Sequence, residues 1–307
     1  MVSRFFLLRG IISAVLSVVL VMSAVWAGGL LQSDQFAFVQ QLPAPFRSQV
    51  YLLDASRYFL YPLATVEGYI QRLSWSPDGN TLYFSAPGLR ETGVGFGRDL
   101  AALDVQRRTL TRLTRTHDDY EPSMSPDGAA LAFVRVENEA NIYSFNVQTR
   151  QVAALYRSVD QDSWPSWSGD GSRLAVQVCA RFNGVCAVTI VTLADQQRVY
   201  LYPERSSRPA WSPRGDALTV ETINEQFNTV LVLLRGNGAT YEQRPLTDGA
   251  FSDHSVTWSA DGSHLAFLRE QRGVAGIRLM VTDVEGGNPR PVTPPSLQIA
   301  APAWRPR

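Results

Sequence analysis

Three aspartates recur at one offset in this chain. Asp119, Asp162 and Asp253 each stand five residues before a large apolar residue, namely Met124, Trp167 and Trp258. Asp118, Glu121 and Asp160 lie close by, and His254 follows Asp253 directly. If the segments that carry them converge, carboxylates around a ring could bind calcium or a cationic group on a partner. Paired carboxylates at catalytic separation, or a bound metal, would support a lyase, lactonase or glycosidase. A structural role competes with these, because Asp commonly caps turns at strand starts. His117 stands seven residues before Met124 and His254 four before Trp258, so they are not equivalent positions. They do not complete the three convergent ligands that a catalytic metal needs. Arg72 and Arg208, each three residues before a Trp, would partly neutralise an acidic ring. The expectation is therefore no catalytic residue, no metal ligand and no cofactor, with calcium at the acidic cluster as the alternative. The ligand-binding candidates are Asp119, Asp162, Asp253, His254 and Glu121.

The elements that must position these residues come from an internal repeat. Five near-copies of one phrase occur: Trp75-Ser76-Pro77-Asp78-Gly79, Met124-Ser125-Pro126-Asp127-Gly128, Trp167-Ser168-Gly169-Asp170-Gly171, Trp211-Ser212-Pro213-Arg214-Gly215 and Trp258-Ser259-Ala260-Asp261-Gly262. A shortened copy, Trp304-Arg305-Pro306-Arg307, ends the sequence. The spacings are 49, 43, 44, 47 and 46 residues. Periods of about 40–50 residues with β-type sequence mark propeller blades. Pro sets the first central position of a tight turn, and Gly takes the left-handed conformation that other residues resist. Alternating strands follow, as in Leu131-Ala132-Phe133-Val134 and Leu265-Ala266-Phe267-Leu268. Each period supplies four short antiparallel strands. The large residue before the turn is expected to pack between blades.

The fold class expected is all-β: a six-bladed propeller over residues 32–307 with four-stranded antiparallel blades, preceded by an N-terminal hydrophobic helix. Blade six needs both chain ends. Residues 301–304 give its first strand, and residues 36–39, 49–54 and 58–63 resemble its second, third and fourth. Closure removes open sheet edges, so a monomer is expected. Gly88 to Gly97 in blade one does not follow the dinucleotide-binding glycine spacing and reads as a flexible hairpin tip.

Cys179 and Cys186 flank the central hairpin of blade three. If the turn centres on Phe182 and Asn183, the two cysteines face each other and a disulfide fits; if Asn183-Gly184 is the turn, the pairing shifts by two. No Cys-x-x-Cys or Cys/His metal spacing exists. The formal net charge is zero, which argues against a nucleic-acid partner.

Residues 1–31 read as a targeting segment. Arg4 and Arg9 precede a run from Gly10 to Ser33 without charge. Ile11 to Leu31 is long enough for an uncleaved anchor, while Val25-Trp26-Ala27 could serve as a signal-cleavage site. Either reading places the propeller outside the cytoplasm, membrane-anchored in the first and periplasmic or secreted in the second.

Trp-Ser-Pro-Asp-Gly before a hydrophobic strand, with Leu113-Thr114 and Leu246-Thr247 closing blades, resembles the propeller repeats of the TolB family. The resemblance covers residues 36–307. TolB carries a small α/β domain before its propeller, which is not expected here. Similar repeats occur in prolyl oligopeptidases, but no Gly-x-Ser-x-Gly elbow is present, so a peptidase is not expected. In oligogalacturonate lyases similar repeats place histidines to hold a divalent metal; of such a set this sequence offers only His254. The resemblance implies a protein- or ligand-binding scaffold whose partner is an envelope or extracellular protein. A propeller enzyme acting at the channel mouth is the alternative.

Overall fold

The structure is a computed structural model that describes residues 34–42, 46–55, 57, 59–87, 97–201, 205–236, 240–294 and 298–306. Its strands form six four-stranded antiparallel sheets arranged as six blades. The innermost strands are Leu73–Trp75, Asp119–Met124, Gln161–Trp167, Ser207–Trp211, Ser252–Trp258 and Ile299–Trp304. The targeting segment and residues 88–96 of the glycine-rich insertion lie outside the described residues. Among the described residues no helix is long and apolar enough to cross a membrane.

Each repeated phrase is the turn from a blade's innermost strand to its second. Ser76 Oγ donates to Asp78 Oδ1 at 2.5 Å, and it accepts the Thr81 N–H at 2.9 Å. Ser125–Asp127, Ser168–Asp170 and Ser259–Asp261 repeat this geometry. Its job is to satisfy backbone groups that a tight turn leaves open. Those hydroxyls hold the Asp carboxyls low; Asp170 falls to about 2, by the Ser168 hydroxyl first. Blade four has Arg214 at the Asp position, and Asp216 takes the Ser212 hydroxyl at 2.9 Å instead.

Blade six is built from both ends, with Phe36 opposite Trp304 and Gln40 opposite Ile299. Phe36 and Trp304 stack with ring centroids 4.6 Å apart. Arg305 adds a clasp: its N–H donates to Gln35 O, and its guanidinium to Gln35 Oε1 and Gly79 O.

The anchors of the phrase pack between blades, as Trp211 does among Ala175, Val188 and Ile190 of blade three. Two hydrogen-bond devices then alternate around the ring. Trp75, Trp167 and Trp258 donate their indole N–H to Ala303 O, Ser123 O and Ala210 O of the preceding blade. Met124, Trp211 and Trp304 instead donate their backbone N–H to the hydroxyls of Ser74, Ser166 and Thr257. The blades are therefore sewn together with a three-fold rhythm that the sequence repeat alone does not reveal.

Each innermost strand of blades two to six carries a register shift. A bulge adds an unpaired residue and re-aims its side chain. The residue three before each anchor takes a positive φ: Glu121, Trp164, Arg208, Ser255 and Ala301. The amides of three of these bulge residues find acceptors in the preceding blade. Trp164 N–H donates to Glu121 Oε2 at 2.7 Å, Arg208 N–H to Gln177 Oε1 at 3.2 Å, and Ser255 N–H to Glu221 Oε1 at 2.6 Å.

Candidate functional site

The bulges set the floor of a cavity of about 330 Å³ in the central channel. Its walls run from the bulge residues to the turns, so it extends toward the face that carries the repeated phrase. We call this the turn face. The opposite loop face carries the hairpins between second and third strands and the connections between blades. Arg72, Trp164, Arg208, Ser255 and Ala301 all line the cavity.

Arg72 reaches across the channel from blade one to blade three, where its Nη1 donates to Pro165 O at 2.8 Å. Its guanidinium lies over the Trp164 ring, 5.7 Å from the centroid, and that of Arg208 lies 4.7 Å from it. Guanidinium groups from blades one and four thus both lie over one indole of blade three, held by the attraction of cations to the ring. Burial lowers the Arg72 guanidinium to about 10, with Glu121 opposing. Burial raises the Glu121 carboxyl, against the Trp164 N–H and Arg72. Glu221 is raised to about 7 by burial, against Arg208, whose Nη1 is 3.6 Å from its Oε2.

The sequence-predicted acids sit elsewhere. Asp119, Asp162 and Asp253 are fully buried, each within its own blade, and none lines the cavity. Asp119 accepts from Arg135 Nε and Nη2 at 2.7 and 3.0 Å, and Asp253 from Arg269 at 2.7 and 2.8 Å. These bidentate pairs join the first two strands of a blade. Asp162 faces Val178 instead; its Oδ1 accepts the Ser158 hydroxyl at 2.8 Å, and among the described residues its Oδ2 has no partner. Burial raises it to about 7. These three carboxylates thus occupy separate buried sites and do not meet in an acidic ring. The reason is the bulge, which breaks strict alternation between the Asp position and the anchor.

His254 is half-buried, 3.0 Å from Ser255 Oγ, and burial then Arg208 lower it to about 4. His117 lies apart in blade one's territory, with Nδ1 3.0 Å from Asp99 Oδ2. Among the described residues no group of three His, Cys, Asp or Glu could hold a metal ion, so the calcium alternative finds no ligand set there. Cys179 and Cys186 are opposite each other in the register and form a disulfide.

Trp164 and Glu221 were not among the sequence candidates. Trp164 shares the offset of Arg72 and Arg208, three residues before an anchor, so comparing that position across copies would have found it. Glu221 lies on the second strand of blade four, ten residues after its anchor, the offset at which Gln177 stands in blade three, so the same comparison would have singled it out.

Residues 120–307 match the TolB beta propeller domain family. The fold is similar to TolB from Acinetobacter baumannii, with TM-score 0.75 and 16 % identity over 90 % of this chain and 68 % of that one. A protein from Agrobacterium tumefaciens described as TolB gives TM-score 0.66 and 18 % identity over 86 % and 89 %. An oligogalacturonate lyase in complex with manganese gives TM-score 0.54 and 16 % identity over 85 % and 74 %. Five phrases in register, six closed blades and the match over residues 120–307 agree, and the chain belongs to the TolB-type β-propeller family.

Proposed function

We propose that this chain is an extracytoplasmic, membrane-anchored propeller that binds an envelope protein on its loop face. The observation that carries this is the uneven placement of exposed apolar side chains. Of the large apolar residues more than half exposed, Phe182, Phe227, Val159, Phe46 and Ile223 lie in, or at the strand ends of, loop-face hairpins and connections, while Phe59 and Tyr200 lie on outermost strands. Among the described residues, none of the exposed large apolar side chains lies on the repeated turns, and Phe59 is the one more than half exposed at a turn-face hairpin. Large exposed apolar groups gathered on one face mark interaction surfaces.

The tether supports the same orientation. The polypeptide preceding Gln35 joins the ring at the turn face, where Gln35 meets Arg305. An anchor in residues 1–31 would hold that face toward the bilayer and turn the loop face outward. A disulfide across a loop-face hairpin is at home in an oxidising compartment.

A propeller enzyme would need paired carboxylates or a metal set. Asp119 and Asp253 are each committed to an arginine, so binding is the reading the geometry favours. The test is photo-crosslinking in intact cells from residue 182 or 227, with residue 194 on a turn-face connection as control. Discrete protein adducts from the loop-face positions alone would support the proposal. Equal labelling from residue 194, or none from 182 and 227, would refute it.

A further inference from the structure

The turn-face cavity has a chemistry of its own, independent of the loop face. We propose that it is an oxyanion site, in which Arg72 and Arg208 receive a carboxylate or phosphate group on a compact organic body.

Arg72 carries the argument. A guanidinium has five N–H donors, and withdrawing a cation from water is costly unless it is paired; Arg72 is half-buried against the cavity. Among the described residues Arg72 makes one hydrogen bond, to Pro165 O, and has no carboxylate at ion-pair distance. The nearby acids are already engaged: Glu121 Oε2 takes the Trp164 N–H, and Glu221 Oε1 takes the Ser255 N–H. Glu221 also lines the cavity, but its contact with Arg208 is long, at 3.6 Å. Two guanidinium groups are thus held over one indole with donors to spare, facing a cavity. Stacking fixes them in advance, so little side-chain freedom is lost when a ligand binds.

The wall defines the rest of the ligand. Pro126, Pro213, Ala210, Ala303 and Trp258 contribute apolar surface around the arginine floor. A volume of about 330 Å³ lies at the small end of ligand pockets, which run roughly from 300 to 1,000 Å³. That suits a small organic acid or the headgroup of an anionic lipid. The headgroup as a source rests on the anchored orientation proposed above, which would turn this face toward the bilayer.

The test uses the full chain in detergent at fixed ionic strength, titrated calorimetrically with citrate and with monomeric dihexanoyl phosphatidylglycerol. Chloride serves as the blank. Saturable binding of either probe is expected, weakened about tenfold or more in both Arg72→Gln and Arg208→Gln, as expected when a charged hydrogen bond is lost. Arg72→Lys keeps the charge without the fork and should fall between. Thermal unfolding of each variant without ligand checks that the ring is intact, and Arg208→Gln carries the test if Arg72→Gln does not fold. Preference for citrate would identify a soluble acid, and preference for the lipid a headgroup. Saturation by neither probe, or binding undiminished in the folded variants, would overturn the proposal.

Discussion

Asp162 is the exception among three equivalent aspartates, and its chemistry follows from one neighbour. In blades two and five the residue across the strands is Arg135 or Arg269, and the buried carboxylate is paired. In blade three it is Val178. The Asp162 carboxyl is raised to about 7, chiefly by burial, from an ordinary value of 3.8. A raised acid binds its proton more tightly in the folded state. Its contribution is therefore fully present below about pH 4 and is lost as pH rises through 7. Asp162→Asn should change little at pH 4 and stabilise the protein at pH 8 by on the order of 2–4 kcal/mol. Melting curves of the two proteins from pH 4 to 8 should diverge steadily, and parallel curves would refute the burial argument. The paired sites predict the opposite. Arg135→Ala strands a buried carboxylate in Asp119 and should cost about 3–5 kcal/mol in denaturant unfolding. These partners were legible in principle. Arg135 and Arg269 both stand eleven residues after their anchors, and Val178 holds the same offset in blade three. The position of the aspartates relative to the channel was not legible, because a bulge leaves no residue-type signal and yet changes which side chains face inward.

At the scale of elements, the repeat reads clearly while its exceptions need coordinates. Six blades, the turn chemistry and the two-ended sixth blade follow from spacing and strand alternation. The departure at Gly169, where other copies have Pro or Ala, has no meaning in sequence. In the structure a Cβ on Gly169 would lie 2.1 Å from Pro213 O, in the turn of the next blade. Two neighbouring turns approach so closely that one must lack a side chain. Restoring the repeat with Gly169→Pro should therefore destabilise, although Pro suits that turn position elsewhere. The clash is with backbone, so the expected loss is about 2 kcal/mol or more in chemical unfolding. An unchanged or higher midpoint would show that the turns can separate without cost.

At the scale of the whole molecule, what matters is how a ring of six similar blades is held shut. The two constraints differ greatly in reach. The disulfide between Cys179 and Cys186 spans a separation of 7, so it closes a short loop in one hairpin and does not tie blades together. Closure rests instead on Ile299–Trp304 and Arg305, which join Gln35–Leu42 across the length of the chain. Deleting residues 302–307 would remove Trp304 from the stack with Phe36, the Ala303 O acceptor from Trp75 Nε1, and the Arg305 clasp. It would also open the edge of Gln35–Leu42 and the gap between blades six and one, leaving strand groups that can pair with another chain. The deletion should abolish a single cooperative melt and shift the protein to aggregates in size-exclusion chromatography. Reductant, by contrast, should lower the melt of the intact chain by only a few degrees and leave its elution position unchanged. Arg305→Ala separates the clasp from the strand: it keeps the backbone pairing and should cost about 1–2 kcal/mol while the ring stays closed. If the deletion melted cooperatively as a monomer, the blades would be stable as an open arc, and the clasp between chain ends would be an ornament of the fold instead of its lock.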